Sequence, residues 1–507
     1  MIPVLSNKQV RSAEDVTIKT GVTAEELMDN AGRVAADRII ELEEDGHFGL
    51  GPSYVILAGQ GNNGGDGLVV ASRLHGLGRN VRVVVIGHRA EGPSALGARL
   101  EEVPKEIRID RSDTLLNTLQ FSDNEVIIDS ILGSGFTRPV EGELALLFAQ
   151  VNASGRSIVA IDMPSGTMDP SEGLGTGPMI QAHHTITFQV PRLALLLPET
   201  GAAAGSWVVR PIGLTPKALE SSERVGNWVE ESDIRRYLMP RGRFTHKGSH
   251  GHALVIAGGL GCYGAGVLSA SGCARSGVGL LTVHGTERTL QLIGSALPDA
   301  MTSLDANGDH VGQLPDLERY SAIAFGPGVG VVEGAKDVLK NLLRSWTGAL
   351  VLDADALTML AQDRDLLKQL TSGTVLTPHP KELDRLLGSS SSSSYDRLCR
   401  GQAFAREMGC TVVIKGAYTA VCSPSGRLYF NSTGNAGMAK GGSGDVLTGL
   451  LVGLLAQGYE ALESSIISNY IHGLAGDLAA ADLGADSMRA SDLVRYMPQA
   501  WMRLRRP

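Results

Sequence analysis

Cysteine is scarce and oddly spaced: Cys262, Cys273, Cys399, Cys410 and Cys422 are the only five in 507 residues, and no two form a CxxC pair. An odd number without such a pair fits neither a disulfide framework nor a structural zinc site, so buried thiols in a reducing cytoplasm are expected. No run of Lys and Arg tracks along the chain, and the formal net charge of -9 argues against nucleic acid as a partner. No uninterrupted apolar stretch approaches the roughly 20 residues of a membrane span. The start, MIPVLSNKQVRSAED, has no basic region leading into an apolar one. These absences leave a cytoplasmic protein with small-molecule partners, and neither nucleic acid nor membrane among them.

Glycine is abundant instead. At 64 of 507 residues it is well above the roughly 7% of average usage, which implies many turns and places where backbone comes close to something. The 43% hydrophobic and 20% charged fractions are those of a globular chain with a sizeable core. The length exceeds one ordinary core, and two large domains are expected.

The opening segment reads as helices, because Ser6 with Gln9 and Thr23 with Glu26 match the S/T-x-x-E/Q capping box. Short, β-branched, nearly continuous apolar runs follow, among them SYVILAG (53–59), VRVVVIG (81–87), VIIDSILG (126–133) and SIVAIDMPSG (157–166). Separated by helix-length segments, they predict strands buried on both faces of a parallel sheet, the α/β class. HTITFQV and SWVVRPIGL would close a first domain at 1–214. The polar stretch 215–245 reads as a linker. A second α/β alternation occupies 246–507, with strands at 252–259, 279–285, 321–328, 349–357, 373–380 and 410–416. The serine run 389–394 is low complexity and expected to be a mobile surface loop. Nearly every polar motif sits just after an apolar strand, where open α/β sheets bind ligands, so one pocket per domain is expected.

In GQGNNGGDG (59–67) a strand stops in a loop of five glycines, two asparagines and one aspartate, and a helix resumes. Backbone N–H groups there can hold phosphate oxygens, while the plainer reading is a tight turn with Asp66 as helix cap. The GxGxxG spacing is met without the acidic strand end of a dinucleotide fingerprint. Asp129, and Asp162 with Ser165, stand at two further strand ends. Such oxygens suit a hard, weakly charged cation, although aspartates there are often caps. In AKGGSGDVLTG (439–449), the glycines permit close approach of an anion, and Asp445 could accept a proton from a substrate hydroxyl or cap the helix. Lys415 in KGAYT suits phosphates or solvent. His379 in TPHPKEL is fixed by flanking prolines and could be only a turn residue.

Together these stretches resemble the bifunctional NAD(P)H-hydrate repair enzymes, in which an epimerase domain is fused to an ADP-dependent dehydratase domain. The resemblance rests on LMDNAG, GNNGGDG, DSILGSGFTRPVEG and IDMPSG, then on HKGSHGHALVIAGG, YGAG, GPGVG, TPHPKEL, KGAYT and GNAGMAKGGSGDVLTG. It implies two α/β domains, a Rossmann-like three-layer amino-terminal one and a ribokinase-like carboxy-terminal one. It also implies roles. Asn62, Asn63, Gly64, Gly65 and Asp66, with Gly133, Ser134, Gly135, Phe136, Thr137, Arg138 and Pro139, would hold the hydrated dinucleotide NADHX or NADPHX. Asn63, Asp129 and Ser165 would bind potassium, and Asp162 would be the acid/base at the hydrated ring carbon. Ala265, Gly328, His379 and Asp445 would contact the S-form hydrate in the second domain. Lys415, Gly416, Ala417, Tyr418, Thr419 and Gly444 would bind ADP, a co-substrate accompanied by Mg2+. Homo-oligomeric assembly is expected. Two alternatives are a ribokinase-class kinase of a small alcohol and a nucleotide-sensing scaffold with a dead epimerase domain; the intact GNNGGDG, Asp129 and Asp162 speak against the second.

Overall fold

The computed structural model describes residues 1–87, 95–112, 119–136, 138–173, 177–221 and 223–506. The chain divides into two compact units, Ile2–Val225 and Gly226–Pro507.

In the first unit, helices α1 (Asn7–Lys19) and α2 (Ala24–Glu44) both open on complete capping boxes, Ser6 with Gln9 and Thr23 with Glu26. Seven strands follow among the described residues: β1 (Ser53–Ala58), β2 (Val81–Ile86), β3 (Arg108–Ser112), β4 (Glu125–Ser130), β5 (Ile158–Ile161), β6 (His184–Phe188) and β7 (Ser206–Arg210). All pair in parallel, in the order β3-β2-β1-β4-β5-β6-β7. This is the doubly wound order, with its switch point between β1 and β4. All six residues of β1 and all six of β4 are buried, which is why Tyr54–Ala58 and Val126–Ile128 run apolar rather than alternating. Helix α3 (Asn62–Gly76) starts directly beyond β1, so the glycine-rich loop lies at the switch point.

The second unit carries β8 (Gly226–Val229), β9 (His252–Ile256), β10 (Leu280–Gly285), β11 (Met301–Leu304), β12 (Ala322–Phe325), β13 (Ala349–Leu352), β14 (Thr374–Leu376), β15 (Thr411–Ile414), β16 (Ala420–Cys422) and β17 (Leu428–Asn431). They run in the order β8-β17-β16-β15-β14-β13-β12-β9-β10-β11, parallel except where β15, β16 and β17 form an antiparallel meander. Its helices include α4 (Tyr263–Ala274), α5 (Pro380–Leu387), α6 (Ser394–Met408), α7 (Ser443–Ala456), α8 (Ala461–Leu483) and α9 (Ala490–Arg505).

Helix α7 is buried at every position from Val446 to Ala456 and lies against α4 with backbones nearly touching. A Cβ on Gly449 would stand 1.8 Å from the Ser269 carbonyl oxygen, and one on Gly272 would stand 2.3 Å from that of Val446. Glycine is required here by proximity alone. The contact fixes the start of α7, one turn away, where the candidate site lies.

Three expectations differ from what is found. The stretch 215–245 is structured: Pro216–Ser221 is helical in the first unit, while β8 and the helix Glu231–Tyr237 belong to the second. Its polarity reflects half-exposed elements, with Ile234 and Val229 supplying the buried face. The serine run is tied down by Ser391 Oγ donating to Asp384 Oδ1 at 2.6 Å and by Ser393 capping α6. All five cysteines are free, but Cys262 and Cys399 are exposed.

Gly449→Ala should lower the stability of the second unit by roughly 2–3 kcal/mol, the upper range for overpacking, because the clash is with backbone that cannot rotate away. A thermal melt should fall by several degrees; an unchanged midpoint would mean that α4 and α7 can separate freely.

Candidate active sites

The switch point of the first unit opens into a cavity of about 690 Å³. One wall comes from α1 and α2, including Arg11, Glu14, Leu27 and Met28; the other comes from strand ends, with Asn62, Asn63, Asp66, Gly133, Ser134, Gly135, Phe136 and Asp162. Helix α3 has Gly61 as its N-cap and no side-chain cap bond, which leaves its first N–H groups open to an anion. Asp66 is therefore not the cap. Burial, reinforced by Asp162 and Glu14, pushes its carboxyl well above the usual range despite Arg99, which favours the neutral acid.

Asp162 follows β5 with φ of +65°, a left-handed conformation that aspartate tolerates better than most residues. Its Oδ2 accepts from the Ser134 N–H at 2.9 Å and its Oδ1 from Arg192 Nη2 at 2.8 Å. Arg192 is 1% exposed, and its Nε and Nη1 have no partner.

Beside this pair, Asp129 and Ser165 lock together. Ser165 Oγ donates to Asp129 Oδ1 at 2.5 Å, Ser165 N–H donates to Oδ2 at 2.7 Å, and Leu132 N–H donates to Ser165 Oγ at 2.8 Å. Burial lifts the Asp129 carboxyl to about 6, and the bonds from Ser165 and Ile131 oppose the rise. Across the 132–133 peptide, the Asn63 side chain lies about 3 Å from where a Gly133 Cβ would be (3.1 Å to its own Cβ), and both of its polar atoms are buried without a partner. An orphaned amide is costly unless something else satisfies it.

Of the residues expected at this site, Gly64 and Gly65 serve packing, with virtual Cβ positions 1.8 Å from the Gly59 carbonyl and 2.6 Å from Met28. Arg138 and Pro139 do not line the cavity. Thr137 lies outside the described residues.

In the second unit the strand ends gather one charged cluster. Lys415, just past β15, donates from Nζ to Asp353 Oδ1 at 2.8 Å and lies 3.9 Å from Glu382 Oε2. Asp353, at the end of β13, also accepts from Thr448 of α7 at 2.7 Å. Burial pulls the Lys415 ammonium down, but Asp353, Glu382 and Asp445 outweigh it, and the net shift is upward. A Cβ on Gly444 would stand 3.4 Å from Lys415 Nζ, so the glycine leaves the ammonium accessible from the loop.

Helix α7 starts at Gly442, φ of +94°, with no side-chain cap bond. Asp445 in its first turn is thus not the cap, and its carboxyl makes no hydrogen bond among the described residues. Burial, then Asp353 and Asp355, raise its pKa to about 6 against the opposing pull of Lys415. The loop before it is held from behind: His472 Nε2 sits 2.9 Å from the Ser443 carbonyl, and Lys440 Nζ donates to the carbonyls of Asp486 at 2.7 Å and Met488 at 2.5 Å. Burial keeps the His472 pKa down at about 4, so the ring is neutral and donates to Ser443.

His379 caps α5 through Nδ1, which accepts from Lys381 N–H at 3.1 Å and Glu382 N–H at 3.3 Å, so the turn role is real. Its Nε2 lies 3.5 Å from Glu382 Oε1, which joins it to the Lys415 cluster. Ala265 and Gly328 meet each other, at 3.1 Å between Ala265 Cβ and a virtual Gly328 Cβ. Two residues beyond Gly328, the Gly330 N–H donates to Asp355 Oδ2 at 2.8 Å, and Asp355 is one of the carboxylates that raise the Asp445 pKa. Gly416 to Thr419 form a tight turn closed by Thr419 Oγ1, with Tyr418 against Trp228 at 5.7 Å.

Sequence reading missed Glu14, Arg192, Asp353, Glu382 and Thr448. Only Asp353 had a signal, a carboxylate ending the apolar run ALVLD.

Parallel strands ending in uncapped glycine loops beside open carboxyls define a two-domain enzyme built to handle nucleotides. A family model described as NAD(P)H-hydrate dehydratase matches residues 253–499, and one described as YjeF-related protein N-terminus matches 24–194. The bifunctional NAD(P)H-hydrate repair enzyme Nnr of Thermofilum pendens is 32% identical over 503 residues, covering 96% of this chain and 94% of that protein. That of Moorella thermoacetica is 34% identical over 493 residues, covering 93% and 91%. Among solved structures, the ADP/ATP-dependent NAD(P)H-hydrate dehydratase of Bacillus subtilis, co-crystallised with ATP/Mg2+, is 30% identical, with TM-score 0.49, covering 55% of this chain and 99% of that one. The chain belongs to the family of bifunctional NAD(P)H-hydrate repair enzymes, with an epimerase domain followed by a dehydratase domain. Among the described residues no helix is long and apolar enough to cross a membrane.

The raised Asp445 pKa has a signed consequence. A base there is disabled as pH falls through about 6, so dehydration should drop tenfold per pH unit below that value. The folded state also holds this proton more tightly than the unfolded chain, so the burial costs stability as pH rises from about 4 to about 6. A rate that stays flat down to pH 4.5 would remove Asp445 as the base.

Proposed function

We propose that the two sites act in series on hydrated nicotinamide dinucleotides, the first interconverting R- and S-NAD(P)HX and the second dehydrating the S form with ADP. The observation that carries the reading is Asp445: a half-buried carboxyl of raised pKa, unbonded among the described residues, in the first turn of an uncapped helix and within the field of Lys415. ADP phosphates would lie on the N–H groups at Gly444 and against Lys415, with Gly416, Ala417, Tyr418 and Thr419 beneath the nucleotide. Asp445 takes the proton of the hydrate's hydroxyl, whose oxygen attacks the β-phosphorus while AMP leaves. The phosphorylated hydrate then loses phosphate from the hydrated carbon and a proton from the adjacent ring carbon to solvent, restoring the dihydronicotinamide ring. Ala265, Gly328 and His379 would contact the hydrate.

Mg2+ fits as an ion carried by the nucleotide, because among the described residues no group of three or more His, Cys, Asp or Glu is placed to hold a metal alone. Bound there, it would neutralise phosphate charge. Potassium fits the first site through the buried orphan Asn63 Oδ1, which packs at Gly133, with the oxygens of Ser165, bonded to the neighbouring Leu132, and of Asp129, a set of few formal charges. Asn62 to Asp66 and Gly133 to Phe136 would hold the dinucleotide, with Asp162 as acid/base at the ring carbon.

A kinase of a small alcohol is the second reading of the carboxy-terminal fold. It would release a phosphorylated alcohol. The discriminating experiment supplies S-configured hydrated NADH with ADP and follows the return of dihydronicotinamide absorbance together with free phosphate; absence of both would sink the dehydratase reading.

Asp445→Asn should cut dehydration about 10²- to 10⁴-fold while ADP still binds. Asp162→Asn, which keeps the left-handed backbone accessible, should abolish epimerisation and leave dehydration of pure S-hydrate intact. Rigorous exchange of potassium for a bulky organic cation should slow epimerisation, and unchanged rates would remove the ion from the site.

A further inference from the structure

Epimerisation at a hydrated ring carbon makes a demand that one acid/base group does not meet. Breaking the C6–O bond needs a proton delivered to the departing hydroxyl, while the ring nitrogen's lone pair stabilises the planar cation left behind. Restoring the opposite configuration needs water added to the other face, its proton passing to a base. Hydroxyl leaves as water and water returns, so atoms and charge balance with no co-reactant beyond solvent. Two groups reaching one ring from two directions are required.

The first cavity supplies two. Asp162 stands on the strand-end wall, and Glu14 stands on the α1 wall of the same cavity. The walls meet where Arg11, one turn before Glu14, donates from Nη1 to the Ser134 carbonyl at 3.1 Å, while the Ser134 N–H donates to Asp162 at 2.9 Å. Asp162 is thus held at the Ser134 peptide while Glu14 lines the same cavity from α1, and their environments differ. Asp162 accepts from two donors, Ser134 and Arg192. Glu14 makes no hydrogen bond among the described residues. Burial, with Asp162 and Asp15 adding to it and Arg192 and Arg11 opposing it, raises its pKa, so it holds a proton more readily. Asp66 also faces the cavity but sits in the first turns of α3 among the groups assigned to binding.

Resting on the epimerase reading of this cavity, we infer that Glu14 is the second acid/base catalyst, serving the hydroxyl on one face of the ring while Asp162 serves the other. For one epimer Glu14 protonates the departing hydroxyl and Asp162 deprotonates the returning water. For the other epimer the roles exchange.

The test separates bond breaking from inversion. Each pure epimer is incubated in 18O-enriched water with the full-length enzyme carrying Glu14→Gln, and both configuration and oxygen exchange are followed. Epimerisation should fall about 10²- to 10⁴-fold. The epimer whose hydroxyl faces Asp162 should still exchange oxygen with retention, and the other should exchange no faster than in buffer. Glu14→Asp should recover part of the epimerisation. A thermal melt of the same protein, read on the transition of the first unit, reports that the unit carrying Glu14 is folded. Near-normal epimerisation in Glu14→Gln would overturn the inference. So would equal loss of exchange for both epimers, which would make Glu14 a support for Asp162 rather than its counterpart. An unsubstituted enzyme that exchanges and epimerises neither hydrate would instead sink the epimerase reading of the cavity, a result separable from both.

Discussion

A strand buried on both faces can carry a charged side chain only where something satisfies it, and that constraint arranges both halves of this chain. In β4 the six residues Glu125–Ser130 are all buried, and its carboxylate near the carboxyl end, Asp129, is tolerated because Ser165 and Ile131 satisfy both of its oxygens. The same holds for β13, whose terminal neighbour Asp353 is bound by Lys415 and Thr448. Chemistry is thereby pushed to one edge of each sheet, where the helix starts also point their N–H groups. Substrates that are long, flat and anionic meet both features at once.

Within the second unit, a second level of constraint acts through the glycines of α4 and α7. Backbone contact leaves no slack between the helices, so the first turn of α7 is as well placed as the core behind it. Asp353 then ties β13, β15 and α7 together through a single carboxylate. The site is accordingly made of groups that the core positions, with only the surrounding loops free to adapt. Helix α8 adds to this by holding the Ser443 carbonyl through His472.

Much of this was legible in the sequence, for a physical reason. Burial on both faces writes itself as uninterrupted apolar runs, and capping boxes write themselves as fixed spacings, so strands, helix starts and the loops between them could be placed. Asn63, Lys415 and Asp445 drew notice because each stands in a loop where such a run ends or a helix begins. Glu14 and Arg192 were not, since each acts through a partner far away in sequence: Arg192 meets Asp162 across 30 residues and Glu14 shares a cavity with it. A polar segment such as 215–245 misled because half-exposed strands and helices have the composition of loops. The serine run misled for the converse reason, as serine is both a disordered-loop residue and a good helix cap.

The left-handed backbone at Asp162, φ of +65°, reaches beyond the reaction. Among the twenty side chains only glycine, asparagine and aspartate enter that region cheaply. Drift at this position is therefore confined to a narrow genetic neighbourhood, in which both Asn and Gly codons lie one base from Asp. A lineage that lost epimerisation could drop the carboxylate in one step without straining the backbone, but Arg192, buried and bonded among the described residues only to Asp162, would be left with an uncompensated charge and would have to change with it. Reading this single residue is then a sharper guide to whether a related chain still epimerises than overall identity, which such a change leaves almost untouched.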